Sequence, residues 1–297
     1  MSNSADVPLT APSWINRLVR FPLGRIALGI VSIAIPFAVV ATPFNLFVTD
    51  KLLRKAGALL LTAVVLGAYC AYVRIVERRA VRELSRQRLI RELSGGVLLG
   101  ALLLSLTIAV LAAVGVYRIT GINGWQFMMA TVPAFILAAV LEEIVMRGLV
   151  FRILEQWLGS WSALALSAIL FGLLHLLNPG ATLANATSVM LEAGILLAAA
   201  YMLTRSLWFC IGIHFAWNFT QGGIFSASVS GGATEGLLRG TLVGPESLTG
   251  GRFGPEASVV ALALCATTGL LLLIAAKRKG NVVGPAAPST GATAIAT

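Results

Sequence analysis

Long apolar runs separated by short polar breaks set the pattern of this chain. About 20 apolar residues in a row make a helix long enough to cross a bilayer. Eight stretches are candidates, near 26–48, 56–73, 95–117, 126–146, 161–178, 183–203, 207–222 and 257–276. The two least regular are 126–146, which ends in charge, and 207–222, which is short. The pattern predicts an all-α fold, a polytopic transmembrane helix bundle of about eight spans. Residues 1–25 are expected as a cytoplasmic N-terminal segment and 26–125 as the first group of helices. Residues 223–256 are rich in Gly and Ser and predict a long extracytoplasmic loop. After a last span over 257–276, the tail turns small, polar and Pro-containing from Lys277, and is expected to be disordered.

Composition agrees with a membrane chain. Hydrophobic residues make up 58% and charged residues only 11%, with a mean hydropathy of +0.89. A soluble domain carries about 25% charged residues. The net charge of +10 does not point to nucleic acid, because the basic residues sit at span ends, where the positive-inside bias places them. The bilayer itself is the expected partner. Arg17 and Arg20, the segment 74–93, Arg147 and Arg152, Arg205, and Lys277-Arg278-Lys279 all fall on one side if there are eight spans. That distribution predicts a multi-pass protein of the cell (plasma) membrane with both termini cytoplasmic. Lys51, Arg54 and Lys55 oppose it, and a shorter first hairpin would remove the conflict. Segment 74–93 carries seven arginines with charges of both signs, which fits a solvated or amphipathic helix acting as a topology anchor. No cleavable signal peptide is expected, since the first apolar run starts late and is too long. Cys70, Cys210 and Cys265 lie far apart in apolar runs and read as small core residues.

Chemistry enters through the few ionisable groups inside the apolar runs. Each costs roughly 2.5–3.5 kcal/mol to insert, so each defaults to a functional hypothesis. Glu142 and Glu143 are followed by Arg147. Residues four apart share a helix face, so Glu143 and Arg147 can pair, leaving Glu142 about 100° round the helix and free to serve as a general base. The same trio also fits a span that simply ends at the cytoplasmic interface. The only two histidines are His175, one turn after Phe171, and His214, one turn before Asn218. His175 fits a catalytic partner or a core residue bonded between helices. His214 and Asn218 fit two donors aimed at an oxyanion, or an interhelical clamp. Zinc held by Glu142, His175 and His214 with an open water position is an alternative. However, no HExxH pattern is present and the ligands would come from three spans, so metal-free activation of water, with no cofactor required, is preferred. Glu192, in an apolar run, receives no role.

The strings LEEIVMRGLVF, FGLLH and HFAWN, in that order on successive spans, resemble the three-motif signature of the CPBP family. This is the CAAX-processing endopeptidase and bacteriocin-processing group, also called Abi or type II CAAX prenyl endopeptidase-like, and grouped with intramembrane metalloproteases. The resemblance covers about 126–222. It implies a glutamate-dependent intramembrane protease acting on a peptide or protein substrate. On that mapping Glu142 and His175 activate the hydrolytic water. His214 and Asn218 hold the oxyanion, Glu143 and Arg147 support the site, and Phe171 packs under His175. Arg205 departs from the pattern, standing where a small residue is commoner. A non-catalytic scaffold or bacteriocin-immunity protein of the same family is the alternative. A proton-coupled carrier is less favoured, because no repeated half with interrupted helices is visible. One conflict is explicit. The expected boundaries put Glu142 near the inner end of its span and His175 near the outer end of the next.

Overall fold

The computed structural model describes residues 21–285, so the expectations for Arg17, Arg20 and the rest of 1–20, and for 286–297, lie outside the described residues. The chain is a bundle of helices with one small two-stranded ribbon. Pro22–Phe47 (α1) and Lys51–Ile75 (α2) form the first hairpin. Pro22 occupies the first turn of α1, where its missing N–H costs nothing. Asp50 caps α2 by accepting from the N–H groups of Leu52 and Leu53, both at 2.9 Å. Lys51, Arg54 and Lys55 therefore lie in the first turns of a 25-residue helix, and the hairpin is not the shortened one that would have removed their charge conflict.

Segment 74–93 is not a continuous amphipathic helix. It breaks into two short 3-10 turns, Arg82–Leu84 and Arg86–Arg88, before Leu89–Ala113 (α3) begins. Ion pairing explains the break. Glu77 receives Arg25 at 2.6 Å and both Arg79 and Arg152 at 2.8 Å, while Arg79 also reaches Glu83 at 2.7 Å. The Tyr69 hydroxyl donates to Glu83 as well. Only an irregular connector brings these groups to one point, whereas Arg74, Arg78, Arg82 and Arg86 stay exposed.

Strand Tyr117–Ile122 (β1) leads into the helix Trp125–Glu143 (α4). Helical structure does not end at the acidic pair. It continues as a π-helical segment, Ile144–Phe151, into Arg152–Leu174 (α5). The direction changes at Gly159, whose φ of 80° suits glycine alone. Leu183–Val189 (α6), a second π-helical segment, Met190–Gly194, and Ile195–Thr204 (α7) form the next helix. Leu207–Asn218 (α8) follows, and a third π-helical segment, Phe219–Ile224, extends it. The loop expected over 223–256 carries strand Leu238–Leu242 (β2), antiparallel to β1, and a short helix, Glu246–Thr249 (α9). It then returns to the bundle at a 3-10 turn, Pro255–Ala257. Val259–Arg278 (α10) closes the bundle, capped by the Ser258 hydroxyl.

Five helical stretches are long and apolar enough to cross a membrane: Pro22–Phe47, Lys51–Ile75, Arg82–Ala113, Leu183–Thr204 and Val259–Arg278. The other three apolar runs are helical but interrupted or short. Outward faces are apolar, with Val39 67% and Leu98 71% exposed, as lipid contact requires. The chain is a multi-pass membrane protein of all-α architecture. Its tightest seam joins α3 to α8, where a Cβ on Gly100 would run into the carbonyl oxygen of Ile213. Small residues let two backbones approach this closely, and the seam fixes the helix that carries His214. The order of the tail extends past Lys277, because Asn281 donates to the carbonyls of Met202 and Leu203 at 3.1 and 2.9 Å.

Candidate functional site

Glu142 stands seventeen residues before Gly159 and His175 sixteen after it. At 1.5 Å per residue the two arms of this antiparallel pair run about 25 and about 24 Å from the bend, so both side chains arrive at one level. The expected depth conflict disappears for this reason. The run that carries the acids continues as helix beyond them, with Glu143 and Arg147 paired inside the protein. Glu142 and His175 line one cavity of about 370 Å³, together with Phe171, Met146 and Asn178. His175 itself begins a 3-10 turn that closes α5.

Glu143 and Arg147 are buried, at 0% and 1% exposure. Glu143 Oε1 accepts from Arg147 Nη1 at 2.9 Å and faces His214 Nδ1 at 2.9 Å. Arg147 is therefore buried and paired inside the protein. Its second nitrogen donates to the carbonyls of Ala193 and Gly194 at 3.2 and 3.3 Å. Both carbonyls belong to the π-helical turn 190–194 or its edge, where the i→i−4 ladder is broken. The guanidinium also lies 4.6 Å from the Phe171 ring centroid, a cation–π contact. Phe171 in turn packs on His175 at 4.7 Å and on His214 at 6.3 Å between centroids. One apolar ring thus spaces the guanidinium and both imidazoles.

The two histidines meet different partners. His175 Nδ1 lies 2.8 Å from the Phe171 carbonyl oxygen. A carbonyl only accepts, so Nδ1 carries the proton and Nε2 of the neutral ring is left as a base. His214 Nδ1 faces a carboxylate that already accepts from Arg147, so it too donates, and Nε2 lies 3.9 Å from Glu142 Oε2. Glu142 is 36% exposed, and its Oε2 is buried without a hydrogen-bond partner. Asn218, one turn beyond His214, lines a second, smaller chamber with His175, His214 and Phe171.

All seven sequence-predicted residues therefore gather in one region: Glu142, Glu143, Arg147 and His214 by direct contact, Phe171 by packing, His175 and Asn218 along the cavity walls. Among the described residues, no group of three or more His, Cys, Asp or Glu side chains is placed to hold a metal ion. The three cysteines are free, with Cys210 and Cys265 buried and Cys70 half-buried.

Sequence reasoning passed over Glu192 and Glu256. Glu192 borders the second chamber, the side where Arg147 meets the carbonyls of Ala193 and Gly194. Glu256 comes from the Gly-rich segment read as an external loop, and its only sequence signal is a carboxylate immediately before the last apolar run. Arg205 holds a left-handed conformation, φ 54°, at the end of α7. That is a position glycine fills most easily, which is why a small residue is the usual choice. Here the side chain compensates by pairing with Glu155 and the Asn281 carbonyl.

Residues 123–220 match the family model described as type II CAAX prenyl endopeptidase Rce1-like. No curated protein and no solved structure matches the chain. The matched segment begins just before α4 and ends just after Asn218, enclosing every residue of the paired core just described. The match spans about a third of the chain, and the family that it describes is one of membrane proteases.

Proposed function

We propose that the protein is an intramembrane endopeptidase that hydrolyses a peptide bond in a membrane-associated protein or peptide, with CAAX-type processing as the nearest precedent. The observation that carries this reading is the division of labour around one cavity. A carboxylate with a free oxygen, Glu142, and an imidazole with a free Nε2, His175, share a wall. A second imidazole and an amide, His214 and Asn218, stand next to them on another helix.

In the reaction, Glu142 takes a proton from a water held between it and His175 Nε2. The remaining hydroxide adds to the scissile carbonyl carbon, and the carbonyl oxygen becomes an oxyanion. His214 Nε2–H and the Asn218 amide donate to that oxygen. For His214 to donate there, its ring must hold the second proton, and carboxylates on both sides supply the charge that favours it. The C–N bond then breaks and the leaving amine takes the proton back from Glu142. Glu143 and Arg147 do not touch the reacting atoms. They fix the His214 ring, as an orienting carboxylate does in other acid–base sites. No step requires a Ser or Cys nucleophile or is routed through zinc. The basic residues at helix ends support a plasma-membrane location with both termini cytoplasmic.

The test compares the membrane proteomes of cells carrying wild-type protein and Glu142→Ala. One peptide or precursor should accumulate only in the variant, and purified wild-type protein should cleave it. A phenotype that survives both Glu142→Ala and His175→Ala, with no change in any peptide, would instead assign the chain a scaffold or immunity role.

A further inference from the structure

The second chamber is lined by two buried carboxyl groups. His175, His214 and Asn218 form the side that faces the catalytic cavity, and Glu192 and Glu256 form the other. Glu192 is 3% exposed, makes no hydrogen bond among the described residues, and its Oε2 is buried without a partner. Glu256 is 4% exposed and held rigidly. Its Oε1 accepts from the Ser230 backbone N–H at 2.7 Å and hydroxyl at 2.8 Å, and its Oε2 from Gln221 Nε2 at 2.8 Å. Three donors fix the position of this carboxyl. Arg147, the nearest guanidinium on these helices, is committed to Glu143, Phe171 and two carbonyls. Apart from the two carboxyls, the two imidazoles, Asn218 and Ser230, the walls are largely apolar, with Val189, Leu196, Leu197 and Ile213 among them. The chamber measures about 40 Å³, room for about three water-sized groups. Two carboxyls at the end of an apolar sleeve this size match an ammonium with two methylenes.

We propose that this chamber is a subsite for an alkylammonium group, the end of a lysine side chain or a chain-terminal amine of the substrate, seated between Glu192 and Glu256 beside the scissile bond. The assignment rests on reading the adjoining cavity as the hydrolytic site. A cation there pairs with both carboxyls, neither of which is in a salt bridge with an Arg or Lys among the described residues.

Two arms test it, and they fail separately. In the first, purified full-length protein in detergent is melted with ethylammonium chloride, with ethanol as the neutral isostere and with sodium chloride at matched ionic strength. Ethylammonium alone should give a saturable rise in Tm, and the isosteric Glu192→Gln variant should lose it. This arm needs no turnover, so it decides the inference even if no peptide is cleaved. In the second, N-acetylated substrate peptides carry Lys, norleucine or Glu next to the scissile bond. The Lys peptide should exceed norleucine in kcat/KM by about tenfold or more, the discrimination of one charge-assisted hydrogen bond, and Glu192→Gln should bring the ratio near one. A preference confined to peptides with a free N-terminus assigns the ammonium to the chain end. Equal effects of ethylammonium and sodium on wild-type Tm, or equal cleavage of the Lys and norleucine peptides with no gain when the N-terminus is left free, overturn the proposal. Cleavage of no peptide, with a specific ethylammonium effect intact, rejects the protease reading and keeps the subsite.

Discussion

Glu143 is the residue on which the others depend. It is fully buried, and its Oε1 is shared by Arg147 and His214. A buried ion pair resists loss of one partner far more than loss of both, because the survivor keeps an uncompensated charge. Arg147→Ala is therefore expected to destabilise the detergent-solubilised protein by about 3–5 kcal/mol, and the double variant Glu143→Leu/Arg147→Met by much less. Denaturant unfolding of the two measures this. A double variant as unstable as the single one would show that the pair acts by packing alone. Glu142 behaves oppositely, since it is partly exposed to the cavity and its Oε2 has no hydrogen-bond partner among the described residues. Glu142→Gln should leave the melting temperature nearly unchanged while lowering kcat by about 10²–10⁴, read by turnover of the substrate peptide. Asn218→Ala should cost kcat about 10²–10³ with a smaller effect on KM, a split that separates an oxyanion donor from a binding contact.

At the scale of elements, the three π-helical segments lie on the three helices that build the site. Ile144–Phe151 follows Glu142 and Glu143, Met190–Gly194 contains Glu192, and Phe219–Ile224 follows Asn218. Such segments concentrate at functional sites because they break the i→i−4 ladder and rotate the face that follows. Here Arg147 occupies two of the carbonyls at Met190–Gly194, and Arg152 Nε takes the Gly148 carbonyl at 2.7 Å. The α3–α8 seam is the second element-level device. Adding a methyl at Gly100 drives Cβ into the Ile213 carbonyl. Gly100→Ala should cost about 1–3 kcal/mol, the range for overpacking. Because Ile213 adjoins His214, activity should fall more than the loss of folded protein explains. An unchanged specific activity per folded molecule would detach the seam from the site.

On the scale of the whole molecule, the Glu77 cluster ties α1, α2 and α5 together at one end of the bundle. Burial works against the Glu77 carboxylate, but Arg152, Arg25 and Arg79 outweigh it and hold its carboxyl below the usual value of 4.5. A carboxylate with a depressed folded-state pKa gives its full contribution above the unfolded value and loses it as pH falls through the folded one. The Tm of wild-type protein should thus be level near neutrality and decline below about pH 4.5. Glu77→Gln should start lower and show a shallower acid decline. The same acid slope in both proteins would place the acid sensitivity elsewhere.

Most of the fold class was legible because long apolar runs have few soluble alternatives, and eight such runs predict a membrane bundle before any packing is known. The paired chemistry was legible too, since the four-residue spacings of Glu143–Arg147, Phe171–His175 and His214–Asn218 put each pair on one helix face. Boundaries were not. Residues 126–146 read as a span ending in charge, yet the helix runs on, because Glu143 and Arg147 neutralise each other inside the protein and hydropathy cannot register a pair. The ion-paired connector at 77–83 read as an amphipathic helix for a similar reason: its partners, Arg25 and Arg152, lie far away in sequence. Glu256 looked like loop polarity until Ser230 and Gln221 turned out to hold it against the chamber. By itself the sequence determined an all-α membrane protein and the residue pairs of its three motifs, since both follow from local composition and helical period. Only the tertiary structure decided that Glu142 and His175 line one cavity, that the two histidines meet different partners, and that two further carboxyls line the adjoining chamber. Each depends on which distant group meets which, and a one-dimensional pattern does not contain that information.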